Sequence, residues 1–317
     1  MLYSENRING VDNAKRIRPI PPIDTMAETS FAYAKVNISL DIISKRSDGF
    51  HNMKMVMQTV SLSDEITVRC EPGAGISSST DTGLSYLPVD RRNIAVKAAL
   101  AFFDHTGITG YLTHINIKKE IPVSAGLGGG SADAACVLRM LDRMFDSKLG
   151  QETLKTIGKS IGSDVPFCIV GGTCLAEGRG EVLTELPPLP RCYFVICKPP
   201  FSYSTPELFS LTQCEKIRVR PDTEGLIASL MNGNLSGVAR RMYNVFEDYL
   251  PWGKQDIIYI KNSLLDNGAL GATMTGSGPT VVGLFESADY ARQAYEKLKE
   301  NYLECYLAQP MNKESLE

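Results

Sequence analysis

The sequence predicts an α+β protein of two units, on three observations. Residues 31 to 43, "FAYAKVNISLDII", alternate apolar and polar side chains, the period of a half-buried strand. Residues 115 to 135, "INIKKEIPVSAGLGGGSADAA", read as a strand, a glycine-rich loop and a helix start. A proline-rich joint, "PPLP" at 187 to 190, then separates these from a second set of strands and helices. The elements do not follow a regular β–α–β alternation, which favours α+β over a doubly wound sheet.

Taken in order, the first strand would turn Ala34, Val36, Ile38, Leu40 and Ile42 to one face and Lys35, Asn37, Ser39 and Asp41 to the other. "SDGFHN" is a turn, 54–62 a second strand, 64–70 a third, and "EPGAGISSSTDTG" a loop. Residues 93–107 predict a helix closed by a C-terminal glycine, and 115–122 a strand. A helix from about Ser131 to Met144 carries Ala135, Leu138, Leu141 and Phe145 on one face. Residues 151–162 predict another helix, and "GGTCLAEGRGEVLTEL" a hairpin. The second unit opens with a strand at 193–197. Thr205 and Pro206 follow as helix cap and first helical residue, then two or three helices to about 267. Strand, glycine turn and strand span 269–285, a serine-capped helix 287–300, and a last strand 304–310.

The chain of 317 residues can bury one large core or two ordinary ones. A net charge of -3 leaves no electrostatic footprint for nucleic acid or anionic lipid, so an anionic substrate needs a local pocket. Eight cysteines form no CxxC pair, and several sit in apolar runs such as "FCIV" and "VICK", the pattern of reduced buried thiols. His51, His105 and His114 lack zinc-ligand spacing, which argues against a transition-metal enzyme. No 18-residue apolar run or basic leader appears, so the chain is expected in the cytoplasm. Residues 1–25 are polar and end in "PIPP" before Met26, the composition of a disordered leader. The expected units are therefore 26–188, holding the glycine loop, and 189–317.

The glycine loop carries the chemistry. Four glycines within 126–130 let backbone amides converge, and the helix start behind them adds unpaired N–H groups and the positive dipole end. Such a cradle suits phosphate. A Walker A loop is excluded because no lysine follows the glycines, and the dinucleotide fingerprint GxGxxG fails at Ser131.

"PVSAGLGGGSADAA" resembles the phosphate loop of the galactokinase, homoserine kinase, mevalonate kinase and phosphomevalonate kinase superfamily. The N-terminal lysine strand and the late "TMTGSGPT" loop match the superfamily in order. "AKVNISLDIISKRSDGFHNMKMVMQTVSLSDEI", "IGSDVPFCIVGGTCLAEGRGE" and "YSTPELF" resemble its 4-diphosphocytidyl-2-C-methyl-D-erythritol kinase branch, and the likeness covers about residues 28 to 310. The resemblance implies a two-domain kinase with its active site in the interdomain cleft. The implied reaction is ATP-dependent phosphorylation of the substrate's 2-hydroxyl in the non-mevalonate isoprenoid pathway. The implied partner is a small molecule carrying a cytidine diphosphate group, with no nucleic acid, membrane or obligate protein partner.

Roles carry over residue by residue. Lys35 in "AKVN" and Asp164 in "SDVP" fall on the family's catalytic lysine and aspartate. Read alone, Lys35 is a surface lysine on a strand and Asp164 a capping aspartate. The resemblance wraps Pro122, Ser124, Ala125, Gly126, Leu127, Gly128, Gly129, Gly130 and Ser131 around the ATP phosphates, and aligns Asn93 and Lys119 with adenine contacts. Mg²⁺ is expected to come with ATP, held mostly by phosphates and water, with no protein-only metal site. "DGFHN" and "STPELF" match the cytosine grip: His51 for the pyrimidine edge, Phe50 and Phe209 as a sandwich, and Asn37 and Thr205 as further contacts. Branch members commonly have tyrosine where Phe50 stands, so stacking survives and a phenol contact is lost. Gly276 and Gly278 are expected to bring a second backbone loop close to the diphosphate. Asn244 and Glu247 echo a late N-x-x-E with no assigned role. The rivals are a superfamily kinase acting on mevalonate or homoserine, and a regulatory protein that keeps the fold without the chemistry.

Overall fold

A computed structural model of the protein describes residues 25–80 and 88–316; the expected leader lies, but for Thr25, outside the described residues. The elements run β1 (Met26–Lys45), β2 (His51–Pro72), β3 (Gly75–Thr80), α1 (Ile94–Thr106), β4 (Tyr111–Lys118), α2 (Gly129–Met144), α3 (Gly150–Ile161), α4 (Val165–Val170), β5 (Thr173–Gly178) and β6 (Val182–Glu185). After the proline-rich joint come β7 (Tyr193–Lys198), α5 (Thr205–Leu211), α6 (Thr223–Met231), α7 (Leu235–Ala239), β8 (Tyr243–Asn244), α8 (Lys254–Asp266), β9 (Gly271–Met274), β10 (Val281–Phe285), α9 (Ala288–Lys299) and β11 (Glu304–Ala308).

Two sheets organise the described residues. The first has the order β3-β4-β2-β1-β8, with β5 also paired to β2 and β6 to β5; α2 packs on β1 and β2 and against α1 and α4. The second has the order β11-β7-β10-β9, backed by α8 and α9. The joint at 187–190 lies between the two sets of elements, yet β8 returns to pair in parallel with Ser39 and Leu40 of β1. The C-terminal segment also reaches back, with Met311 donating its amide to the Thr59 carbonyl at 2.8 Å. No helix among the described residues is long and apolar enough to cross a membrane.

Three expectations are corrected here. The apolar residues of β1 do not share one face: Ala32, Leu40 and Ile42 enter the core under α1 and α2, while Ala34, Val36 and Ile38 enter a second core with Ile196, Leu226 and Val282. Register shifts between Tyr33 and Lys35 and between Asn37 and Ser39 are the cause, since an extra residue in one strand flips all that follow. The intervening Lys35, Asn37, Ser39 and Asp41 are buried too. Second, β2 is one strand of 22 residues where two were read, because Ser63 and Asp64 keep pairing with Tyr33 and Ala32. Third, part of the expected loop after β2 is the edge strand β3. Its serines reach the neighbouring strand, Ser77 to His114 at 2.6 Å and Ser79 to Asn116 at 2.9 Å, which replaces the apolar pattern of a buried strand.

The α5 cap also moves by one residue. Ser204, in extended backbone, accepts from the Glu207 amide, and the Thr205 hydroxyl instead meets Ser277 Oγ at 2.8 Å. All eight cysteines are free and buried, and burial pushes the Cys168 and Cys192 thiols up to about 12. They are inert packing groups.

Candidate active site

One cleft of about 1130 Å³ collects the candidates. Every site residue named from the sequence lines it except Gly278, which packs beneath, where a Cβ would stand 2.3 Å from the Met274 sulfur.

The glycine loop closes one part of the cleft because two positions admit no side chain. Gly126 has φ +77°, and a Cβ there would stand 2.2 Å from the Thr275 carbonyl oxygen. Gly128 has φ +69° and lies on the Lys35 side chain, where a Cβ would meet Cγ at 2.9 Å. L-residues avoid that backbone region, so both sites require glycine. Helix α2 starts right after Gly128 with no side-chain cap, leaving the amides of its first turn for an anion. The helix begins two residues earlier than the sequence suggested and includes Gly129 and Gly130.

Lys35 and Asp164 meet. Lys35 Nζ lies 3.5 Å from Asp164 Oδ2 and donates to Asn37 Oδ1 at 2.8 Å. The Lys35 amide also bonds the Leu127 carbonyl at 2.9 Å, tying β1 to the glycine loop. Asp164 occupies the cap position of α4 yet makes no side-chain cap bond, so the capping reading is not realised and its carboxylate points elsewhere. It is 31% exposed against 5% for Lys35, which places the carboxylate at the cleft surface above a buried ammonium. Asn37 lines the cleft, but its oxygen serves Lys35 and its amide meets the Met55 sulfur. The structure gives it a positioning role beside the expected substrate contact.

The two expected adenine contacts are engaged in the structure. Asn93 caps α1, accepting from the Ala95 amide at 2.9 Å and donating to the Pro88 carbonyl at 2.9 Å. The Lys119 ammonium lies between Asp64 and Asp133, and a Cβ on Gly129 would approach it to 2.9 Å. Burial alone would lower the Lys119 ammonium, but the Asp133 and Asp64 carboxylates outweigh it and raise it. Asp64 also accepts the Glu120 and Ile121 amides, at 2.7 and 2.8 Å, which fixes the chain leaving β4 for the glycine loop.

Aromatic groups line another part of the cleft. The His51 and Phe209 rings stack at 4.8 Å between centroids with 17° between planes, and Phe209 meets Phe246 edge-on at 5.1 Å. His51 lies on one face of Phe209, and the expected sandwich with Phe50 concerns a bound cytosine. Phe50 carries the guanidinium of Arg179 at 3.5 Å from its centroid. Burial, with help from Lys45, lowers the His51 imidazole below its usual range, leaving a neutral ring able to donate and accept.

Sequence reasoning missed the supports of the second glycine loop. Buried Asn244 donates to the carbonyls of Met274 and Gly276, both at 2.8 Å. Glu247 accepts from the Met274 amide at 2.9 Å and from Thr273 at 2.7 Å. The N-x-x-E spacing was the one available signal. The loop they hold lies against Gly126, so Gly276 approaches the first glycine loop directly.

The GHMP kinase N-terminal domain matches residues 93–172, and the GHMP kinase C-terminal domain matches residues 226–304. The chain is 43% identical over 276 residues to a 4-diphosphocytidyl-2-C-methyl-D-erythritol kinase of Clostridium botulinum (strain Eklund 17B / Type B), covering 87% of this chain and 97% of that protein. It is 44% identical over 278 residues to the protein of the same name from the Langeland strain, covering 88% and 98%. A crystal structure of 4-(cytidine 5'-diphospho)-2C-methyl-D-erythritol kinase superposes with a TM-score of 0.75 at 29% identity, over 89% of this chain and 99% of that one. Homoserine kinase from Cytophaga hutchinsonii, at TM-score 0.71 and 21% identity over 90% and 96% of the two chains, shares the fold. The chain belongs to the 4-diphosphocytidyl-2-C-methyl-D-erythritol kinase family of the GHMP kinases.

Proposed function

We propose that this kinase transfers the γ-phosphoryl group of ATP to the 2-hydroxyl of 4-diphosphocytidyl-2-C-methyl-D-erythritol, in the non-mevalonate route to isoprenoid precursors. The observation that carries the reading is a run of contacts along one cleft. Gly128 rests on Lys35, Lys35 faces Asp164 at 3.5 Å, Asp164 borders Gly180, and Arg179 next to it covers Phe50. The uncapped helix start and the aromatic residues thus flank a lysine–carboxylate pair.

Phosphoryl transfer asks the protein mainly to position two oxygens and to meet developing charge. The amides at the start of α2 would hold the nucleotide phosphates. Asp164 would accept the acceptor's hydroxyl hydrogen and aim its oxygen at the γ-phosphorus. Lys35, with two of its three donors directed at Asn37 and Asp164, keeps one for the transferring oxygens. The neutral His51 would read the pyrimidine edge, with Phe209 as the apolar face beside it.

No three or more His, Cys, Asp or Glu side chains gather as a cation site among the described residues. The Ser131 hydroxyl in the cleft fits an Mg²⁺ ion brought in on the nucleotide, whose remaining ligands would be phosphate and water oxygens. When bound, that ion would neutralise phosphate charge. The same reading puts the reaction in the cytoplasm and makes the active site a cleft between units 26–188 and 189–317.

Turnover of ATP against a panel of alcohols tests the reading. Phosphorylation of the cytidylyl acceptor, with none of mevalonate or homoserine, is the expected result. Phe209→Ala should weaken binding of cytidine nucleotides about tenfold while ATP binding is kept. Turnover on mevalonate or homoserine alone would overturn it.

A further inference from the structure

Five cationic side chains line the cleft, and three of them already have carboxylates: Lys35 with Asp164, Lys119 with Asp64 and Asp133, and Arg92 with Asp90. Lys45 and Arg179 make no ion pair among the described residues. Lys45 is exposed at the end of β1. Arg179 is held more firmly. It sits in the β5–β6 turn between two glycines at positive φ, and its amide donates to Glu181 at 2.6 Å. Its guanidinium lies over Phe50, with the central carbon 3.5 Å from the ring centroid. One face of the charge is thereby desolvated.

The stack leaves one donor unsatisfied. Arg179 Nε is buried and has no hydrogen-bond partner among the described residues. That buried nitrogen is closed to a ligand as it is to water, and the two terminal nitrogens, which also have no partner among the described residues, are the ones left for it. They match two oxygens of a phosphate in an end-on, bidentate pair. The neighbouring Gly180 borders Asp164, whose Oδ1 lies 3.8 Å from where a Cβ of that glycine would stand. Arg179 therefore lies between the reacting carboxylate and the aromatic side chains.

We propose that Arg179 binds the diphosphate of the acceptor substrate, with Phe50 holding its guanidinium in place. The inference rests on the cytidylyl acceptor proposed above. It gives Phe50 a task that needs no phenol oxygen: one face of its ring is a platform for the arginine. Arg179 sets specificity by charge, where His51 and Phe209 set it by the base.

Binding of cytidine, CDP and ATP to the full chain, followed by calorimetry, tests this. The wild type should bind CDP more tightly than cytidine. Arg179→Met, which keeps an apolar stem on Phe50, should lose about tenfold or more in CDP affinity and leave cytidine and ATP affinities within about twofold. Arg179→Lys should fall between, since a point charge replaces the planar fork. Equal losses for cytidine and CDP, or an unchanged preference for CDP, would overturn the role of Arg179 while the acceptor reading stands. A wild type that binds neither cytidine nor CDP would overturn both together.

Discussion

Gly126 and Thr275 meet backbone to backbone, so closely that a Cβ on the glycine would stand 2.2 Å from the Thr275 carbonyl oxygen. The Thr275 hydroxyl adds to the joint, donating to the Gly126 carbonyl at 3.3 Å and accepting the Asn37 amide at 2.9 Å. The two glycine loops and the lysine strand are therefore one unit.

Alanine at Gly126 has to displace a carbonyl and adopt a left-handed backbone. Gly126→Ala should cost about 1–3 kcal/mol of stability, a fall of roughly 3–10 °C in Tm. It should also weaken ATP binding, since both loops must shift. Thermal unfolding with and without ATP measures both, and a wild-type Tm with unchanged ATP affinity would refute the contact.

Asn244 supports the second loop from below. Asn244→Ala leaves two buried carbonyls without their donor and should destabilise by about 1–3 kcal/mol. Asn244→Asp should be worse, because a carboxylate then faces those same carbonyls. Denaturant midpoints give the order, and an aspartate variant more stable than the alanine one would contradict it.

Asp133 makes stability depend on pH. It lies 3.2 Å from Lys119 with Asp64 across the same ammonium, and its Oδ1 has no hydrogen-bond partner among the described residues. Burial, offset by Lys119 and reinforced by Asp64, pushes its carboxyl up to about 8. Between the ordinary value of 3.8 and about 8, the folded chain holds a proton that the unfolded chain has released. The group's contribution therefore falls as pH rises through that window. Urea midpoints from about pH 5 to 9 should decline less in Asp133→Asn than in the wild type. Equal slopes would show that Asp133 is ionised throughout.

Local features of the fold were legible in the sequence. The glycine loop and the glycine that closes α1 follow from neighbours along the chain, where backbone sterics and capping act. The facing of β1 was not legible, because bulges at Lys35 and Ser39 depend on how β2 pairs with it. Lys35 and Asp164 were found through the family resemblance, since neither residue's local pattern exceeds a strand lysine or a cap. Arg179, Asn244 and Asp64 escaped because their partners are distant: a ring in the β1–β2 turn, carbonyls of the glycine loop, and amides beyond β4. Phe50 and Phe209 were read as aromatic site residues and both line the cleft, but their ring neighbours, Arg179 and His51, meet them only in three dimensions.

The central claim is that Asp164, set 3.5 Å from Lys35, acts on the acceptor hydroxyl and not on the nucleotide. Asp164→Asn keeps the shape and removes the charge, so single-turnover phosphorylation measured beside ATP affinity is the most direct test. Turnover should fall by about 10²–10⁴-fold, with ATP affinity within about threefold of the wild type. Turnover within tenfold of the wild type, or loss of ATP binding in step with turnover, would contradict the account.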